Sequence, residues 1–233
     1  MIDFLLVVSD QTSPCSYLEN QSARLPMCLP LQAVTRERFD EAMEAGYRRS
    51  GAYFYNTQCP NCSACQPIRL DVNRFQPSRT HRRILRRASE LRVELGDPMV
   101  DDRRVELFNL HRQGRGLARD ESDISDEDYA SFLLSAPNPS VELSIWHEES
   151  LVSVSITDIG RNCLSAVYCC FDPRYSQYSL GTLSVLKQVE VARSLHMNWL
   201  YLGFYVRDNA HLCYKANYLP HERRIDGVWT AFQ

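Results

Sequence analysis

Three cysteines set two residues apart, Cys59, Cys62 and Cys65, constrain this chain more than any other feature. They follow Arg48-Arg49-Ser50-Gly51 at close range and lead into Pro67-Ile68-Arg69. Such spacing lets successive sulfurs aim at one point, which suits a metal-ligand set better than core packing. A closed tetrahedral site needs a fourth ligand, and Cys15 in Pro14-Cys15-Ser16-Tyr17-Leu18 is the candidate. A centre built from Cys15, Cys59, Cys62 and Cys65 ties an N-terminal loop to the middle of the fold. Zinc and an iron–sulfur cluster both suit thiolate ligands, and the sequence does not choose between them. The alternative is ordinary thiols packed as small hydrophobes.

The 233 residues suffice for one large domain or two small ones, and the 44% apolar share supports a true core. The start, Met1-Ile2-Asp3-Phe4-Leu5-Leu6-Val7-Val8, is short and lacks a basic flank, so it reads as a strand rather than a secretory signal. No apolar run reaches the length of a membrane span. Nine cysteines without an export signal point to a reducing compartment and a cytoplasmic protein. The net charge of −3 hides an asymmetry: of 26 basic residues only Lys187 and Lys215 are lysine. Guanidinium forks bind phosphate and carboxylate bidentately, so the bias suits such partners; a codon-composition bias explains it equally well.

Periodicity predicts a helix over 35–48 and short strands at 52–55 and 68–72 that flank the cysteine loop. A second helix, over 79–92, carries Arg79, Arg82, Arg83, Arg86 and Arg87 on one face, with Ser78 as its cap. Five arginines with no interleaved acid repel one another, which favours contact with a polyanion such as RNA over a merely solvated face. A helix at 103–111 follows, then an acidic stretch at 120–128 leading into a helix that ends near Leu134. Strands are expected at 141–146, 151–158 and 163–171, a helix at 181–195, a strand at 199–206 and a short helix near 210–216. The fold class is therefore α+β: a mixed sheet flanked by helices in the order of the acyltransferase (GNAT-like) fold, preceded by a cysteine-rich region. A boundary falls between a cysteine-rich region at 1–75 and a transferase region at 76–233.

Taken together, the motifs resemble the aminoacyl-tRNA–protein transferase family (arginyltransferase-like), and within it the bacterial aspartate/glutamate leucyltransferase branch. The resemblance rests on Cys15-Ser16-Tyr17-Leu18, Gly46-Tyr47-Arg48-Arg49-Ser50-Gly51 and the Cys59/Cys62/Cys65 run with Pro67 and Arg69. It continues through SVSITDIG (153–160), LSAVYCCFDP (164–173), SLGTLSVLKQVEVA (179–192) and YLGFYV (201–206), then Tyr214-Lys215 with Pro220 and Glu222. Leu18 stands where the arginyl branch has the second cysteine of a Cys-x-x-Cys pair, as in the bacterial branch. The resemblance implies transfer of leucine from leucyl-tRNA to the α-amine of proteins with an N-terminal Asp or Glu, creating a degradation signal. An arginyl transferase of the same fold and a non-catalytic, cysteine-centred RNA-binding or redox-sensing module are the competing readings.

The resemblance also implies roles. The donor ester is already activated, so no ATP is expected; a single glycine at Gly181 argues against a coenzyme A site. Tyr205 and Tyr214 are candidates to orient the ester or the leaving ribose oxygen, with plain core packing as their alternative. Glu222 is a candidate base or a partner that orients Lys215. Arg48, Arg49, Ser50 and Lys215 are candidates for binding an acidic acceptor, and the arginines of the basic helix are candidates for binding the tRNA. Phe204 to Val206 would border the acyl site, where parted strands expose backbone N–H groups.

Overall fold

The computed structural model describes residues 2–114 and 122–233. Its N-terminal part is a four-stranded antiparallel sheet in the order β1-β4-β6-β5, where β1 is Leu5–Ser9, β4 Met27–Pro30, β5 Arg48–Ser50 and β6 Tyr53–Tyr55. Helix α1, Arg36–Glu44, lies on it and buries Phe39, Ala42 and Met43 against Phe54. Thr35 caps α1 by accepting from the Arg38 N–H at 3.3 Å. The helix expected over 35–48 stops earlier because Gly46 takes φ +87, and Tyr47 N–H turns back to Ala42 O at 2.9 Å. Between β1 and β4 lies a small hairpin, β2 (Thr12–Pro14) with β3 (Ser22–Arg24).

The larger sheet has eight strands in the order β14-β13-β7-β12-β11-β10-β9-β8. These are β7 Gln66–Asp71, β8 Arg92–Gly96, β9 Ser140–His147, β10 Ser150–Ile159, β11 Cys163–Phe171, β12 Trp199–Tyr205, β13 His221–Ile225 and β14 Val228–Phe232. All neighbours are antiparallel except β11 and β12. A parallel pair needs a crossover connection, and α5, Leu180–Ser194, supplies it. Val185, Leu186, Val189 and Ala192 of α5 pack on Ile68, Leu164 and Leu200. The opposite face is covered by α3, Asp102–Gly114, whose Phe108 meets Val154 and Ile156 beside Tyr129 and Leu133. Tyr129 ends the single turn α4, Asp126–Tyr129, which runs on into a π-helical turn, Ala130–Leu134. The acidic stretch expected at 120–128 is observed here only from Ser122 onward, as residues 120 and 121 lie outside the described residues.

The basic helix, α2, is Arg79–Arg87 rather than 79–92. Ser78 caps it as expected, and His81 completes a reciprocal capping pair. Ala88 ends it, and Leu91 enters the core beside Leu143 and Ile145 as the chain becomes β8. The boundary expected at residue 75 falls just after β7, yet β7 pairs on both sides inside the large sheet, with β12 and β13. The cysteine-rich region therefore contributes a strand to the transferase sheet, and Cys163 and Tyr201 of that sheet close the core under α1.

Candidate active site

The site originates where β11 and β12 stop pairing. They meet only at Cys163–Trp199, Leu164–Leu200 and Ser165–Tyr201 and then diverge. Irregularities on both sides drive the split: β11 slips against β10 between Ala166 and Tyr168, and β12 slips against β7 between Tyr201 and Gly203. Gly203 takes φ +88, a conformation that side-chain-bearing residues rarely adopt. The gap opens into a cleft of about 1080 Å3. It is walled by Ala166 and Tyr168 of β11, Leu202 and Phe204 of β12 and the first turn of α5 at Leu180 and Gly181.

Diverging strands leave carbonyls without a partner strand, and each side of this fork offers one to a cation. Arg48, from β5 of the small sheet, reaches into the fork and donates from Nη2 to Ala166 O at 2.8 Å and from Nη1 to Ser165 Oγ at 3.0 Å. It packs so close that a Cβ on Gly203 would lie 3.1 Å from its guanidinium carbon. The Tyr55 hydroxyl also pairs with Arg48 and with Tyr17, and burial holds the Tyr55 phenol above its ordinary value. Opposite, Lys215 donates from Nζ to Phe204 O at 2.9 Å. Burial, and then the positive charge of Arg48, pull the Lys215 ammonium down to about 7. A cleft whose two cations sit on backbone carbonyls beside apolar walls can accept an anion at one end and an aliphatic group at the other.

The other expected residues fall in different places. Ser50 and Tyr214 line the cleft, and Tyr214 is 40% exposed. Arg49, next to Arg48 but on the other face of β5, is bound inside the protein. It makes a two-pronged pair with Asp158 at 2.7 and 3.0 Å and donates to Gly51 O and Leu133 O, and both side chains are 1% exposed. Arg49 lines the cleft too, as expected, but its guanidinium is already bound to Asp158, which corrects its candidacy for binding an acidic acceptor. Glu222 does not orient Lys215: on β13 it pairs with Arg69 at 2.7 Å, and Arg69 is held between Trp199 and Trp229, 3.8 and 4.1 Å from their ring centres. Tyr205 points away from the cleft and lies under the Arg223 guanidinium at 4.6 Å. Tyr17, Tyr55 and Gln188 line the cleft without having been expected there. The signal for Gln188 is present in the sequence: Ser184 and Gln188 place two polar residues four apart on the otherwise apolar buried side of the helix.

Arg79, Arg82, Arg83, Arg86 and Arg87 are all exposed along α2. Arg87 Nη1 donates to Gln177 O at 2.8 Å, in a 3-10 turn (Pro173–Tyr178) whose Pro173 and Ser176 line the cleft. The basic face thus borders the cleft mouth.

Cys15 lies at the turn of the β2–β3 hairpin, and Cys59, Cys62 and Cys65 lie in the loop after β6, with Cys59 against Arg24 of β3. Cys15 N–H bonds Gln21 O at 2.9 Å, and Arg24 N–H points at Cys59 Sγ at 3.4 Å. Burial and then the three neighbouring thiols push Cys65 up to about 12. Four sulfurs from two loops have the donor chemistry of a zinc or iron–sulfur site. In this arrangement, however, no three His, Cys, Asp or Glu side chains among the described residues stand close enough to share a metal ion.

A mixed sheet that opens between two parallel strands around a crossover helix is the acyltransferase-type architecture. A family model described as arginine-tRNA-protein transferase, N terminus, matches residues 13–83, and its C-terminus counterpart matches 103–225. The chain is 35% identical to an aspartate/glutamate leucyltransferase of Thiobacillus denitrificans over 223 residues, 94% of this chain and 91% of that protein. Proteins of the same name from Chromobacterium violaceum (35%, covering 93% of this chain and 89% of theirs) and Aeromonas hydrophila (36%, covering 92% and 90%) are similar to it as well. Among solved structures, the C-terminal domain (DUF2156) of a putative lysylphosphatidylglycerol synthetase from Agrobacterium fabrum overlays with a TM-score of 0.47 at 15% identity, covering 73% of this chain and 52% of that one. The chain belongs to the arginine-tRNA-protein transferase family.

Proposed function

We propose that this chain transfers leucine from leucyl-tRNA to the α-amine of proteins that begin with Asp or Glu, and so marks them for degradation. The observation that carries the reading is the fork itself, with Arg48 and Lys215 held on its two edges and apolar side chains between. The acceptor's side-chain carboxylate pairs with the cations, the leucyl side chain takes the apolar wall formed with Leu202, and the tRNA lies across α2.

The chemistry needs little beyond alignment. The α-amine, with a reference pKa of about 7.7–8.0, is partly neutral near pH 7. Its lone pair attacks the ester carbonyl, a tetrahedral intermediate forms, and the ribose oxygen leaves with the electron pair and a proton. The new amide remains on the protein. Holding amine and ester together removes most of the entropic cost of their meeting. In this reading Tyr214, which lines the cleft and is half exposed, meets the ribose end. No ATP or coenzyme A enters the scheme.

The cysteine cluster stands outside the reaction. Its four thiols are proposed to hold zinc or an iron–sulfur cluster that pins the β2–β3 hairpin to the following loop. Metal and sulfide analysis of wild type and the Cys59→Ser/Cys62→Ser variant tests this; equal, negligible metal in both refutes it. All nine cysteines are free thiols, which supports work in a reducing, cytoplasmic setting. Among the described residues no helix is long and apolar enough to cross a membrane.

The test of function is a transfer assay with labelled leucyl-tRNA and arginyl-tRNA and peptides beginning with Asp, Glu, Asn or Met. Leucine on the acidic peptides alone is expected. Arginine transfer in its place overturns the leucyl assignment, and tRNA binding without product overturns catalysis.

A further inference from the structure

One polar side chain in the cleft carries an acceptor with nothing to accept from. Gln188 lies on α5, is 3% exposed and lines the cleft. Its Nε2 donates to Ser184 Oγ at 2.9 Å, and Ser184 Oγ lies 2.6 Å from Ser155 Oγ on β10. The amide is thereby held by its nitrogen, while the buried Oε1 has no hydrogen-bond partner among the described residues. Buried amide oxygens are nearly always paired, so one left open at the wall of a substrate cleft marks the place of a donor that arrives with the substrate.

Two donors of the right kind enter this cleft: the α-amine of the acceptor and the α-ammonium of the aminoacyl group. The acceptor's acidic side chain belongs with Arg48 and Lys215 at the fork. Gln188 belongs to the apolar side, because Val185, one turn before it, joins Leu202 in the same packed cluster. An aliphatic side chain seated on that wall carries its own α-nitrogen only two bonds from its Cβ. We infer that Gln188 Oε1 accepts a hydrogen bond from the free α-ammonium of the aminoacyl-tRNA, so that the cleft selects an unblocked donor over an N-acylated one. Ser184 and Ser155 hold the amide in the required orientation. An acylated nitrogen has lost its charge and all but one of its protons, and its added acyl group collides with the wall. The inference rests on the transfer reading but not on the identity of the amino acid, since every aminoacyl-tRNA carries this nitrogen.

The test compares kcat/KM for leucyl-tRNA and N-acetyl-leucyl-tRNA, with an Asp-initiated peptide as acceptor. Wild type is expected to prefer the free amine strongly. Gln188→Met, close in shape but without the acceptor, is expected to lower that preference by roughly tenfold or more, mainly through the KM of leucyl-tRNA. A merely structural role would depress both donors alike and leave the ratio unchanged; that result overturns the inference, as does a wild type that does not discriminate. Gln188→Glu keeps an acceptor that the Ser184 hydroxyl can also satisfy. It is expected to retain or widen the preference, and a narrowed preference overturns the inference even where the methionine variant does not fold. A wild type that transfers nothing from any charged tRNA defeats the transfer reading instead, a distinguishable failure.

Discussion

Replacing Lys215 by Met changes how stability depends on pH, and the size of that change follows from the fold. The lysine's ordinary value of 10.5 falls to about 7 in the cleft. The gap of about 3.5 pH units, at about 1.36 kcal/mol each, corresponds to a ceiling of about 5 kcal/mol for holding an ammonium there. Between pH 7 and 10.5 the unfolded chain keeps the proton that the folded chain has lost. Wild-type stability therefore rises with pH across that window, and the burden is full below pH 7 and gone above 10.5. The methionine has no proton to lose. It also leaves Phe204 O without its 2.9 Å donor, a cost of about 1–3 kcal/mol that does not vary with pH. The variant is thus expected to be more stable than wild type by about 2 kcal/mol near pH 7, with the advantage shrinking by about 1 kcal/mol or more per pH unit towards pH 9. Denaturant unfolding of both proteins at pH 6, 7, 8 and 9 measures this, and a difference that stays constant refutes the buried-ammonium account. The functional side uses paired peptides beginning with Asp and Asn, which cancels the ionisation of the α-amine. Wild-type preference for Asp is expected to be flat below pH 7 and to fall above it, whereas Lys215→Met shows little preference at any pH.

Three further perturbations bear on other parts of the structure. Changing Arg82, Arg83, Arg86 and Arg87 to Ala is expected to weaken tRNA binding and to flatten the slope of log affinity against log salt by roughly 3, and an unchanged slope removes α2 from the tRNA path. Gly203→Ala places a Cβ 3.1 Å from the Arg48 guanidinium at φ +88. It is expected to cost about 1–3 kcal/mol of stability and to reduce transfer beyond what unfolding explains; a fully active, equally stable variant contradicts the close packing of Arg48 in the fork. Asp158→Ala leaves Arg49 buried and uncompensated, for an expected loss of about 3–5 kcal/mol by denaturant unfolding, and a loss under about 1 kcal/mol refutes the structural role.

Where period and burial agree, the sequence is readable. The helix expected at 181–195 is Leu180–Ser194, and the strand expected at 199–206 is Trp199–Tyr205, because both carry mainly apolar buried faces set by the core. The hairpin β13–β14 is not readable that way. Arg223 and Arg224 interrupt any apolar alternation, and Arg223 is accommodated by distant partners: it stacks on Phe232 across the hairpin at 3.5 Å, lies over Tyr205 and donates to Gln66 Oε1 at 3.2 Å. Its local signal is the Asp226-Gly227 turn, both residues at positive φ. The end of α2 is hidden for the opposite reason: Leu91 fits the helical apolar face as well as it fits the entrance to β8. In the site, adjacent residues on a strand face opposite ways, so although Arg48 and Arg49 both line the cleft, only the Arg48 guanidinium enters the fork and that of Arg49 is bound to Asp158. Which one enters depends on Asp158, more than a hundred residues away in sequence, and no local pattern encodes that pairing.

The same distance dependence explains why the cysteine-rich region and the transferase sheet form one machine. Opening β11 from β12 strips backbone carbonyls of their ladder partners, a state that closes up or fills with water unless something else pairs with them. Here the pairing groups are supplied from outside the two strands. Arg48 comes from the small sheet to Ala166 O, and Lys215 comes from the turn after β12 to Phe204 O. Two cations placed to keep the fork apart are, by the same placement, two cations facing whatever enters it. Arg48 has donors beyond the two that bind Ser165 and Ala166, and the ammonium of Lys215 has two protons besides the one given to Phe204 O. Structural and substrate-facing roles therefore coincide at these residues. Changing either one should alter the width of the cleft and the choice of acceptor together, whereas changing Arg49, whose guanidinium is bound to Asp158, Gly51 O and Leu133 O, should act chiefly through stability.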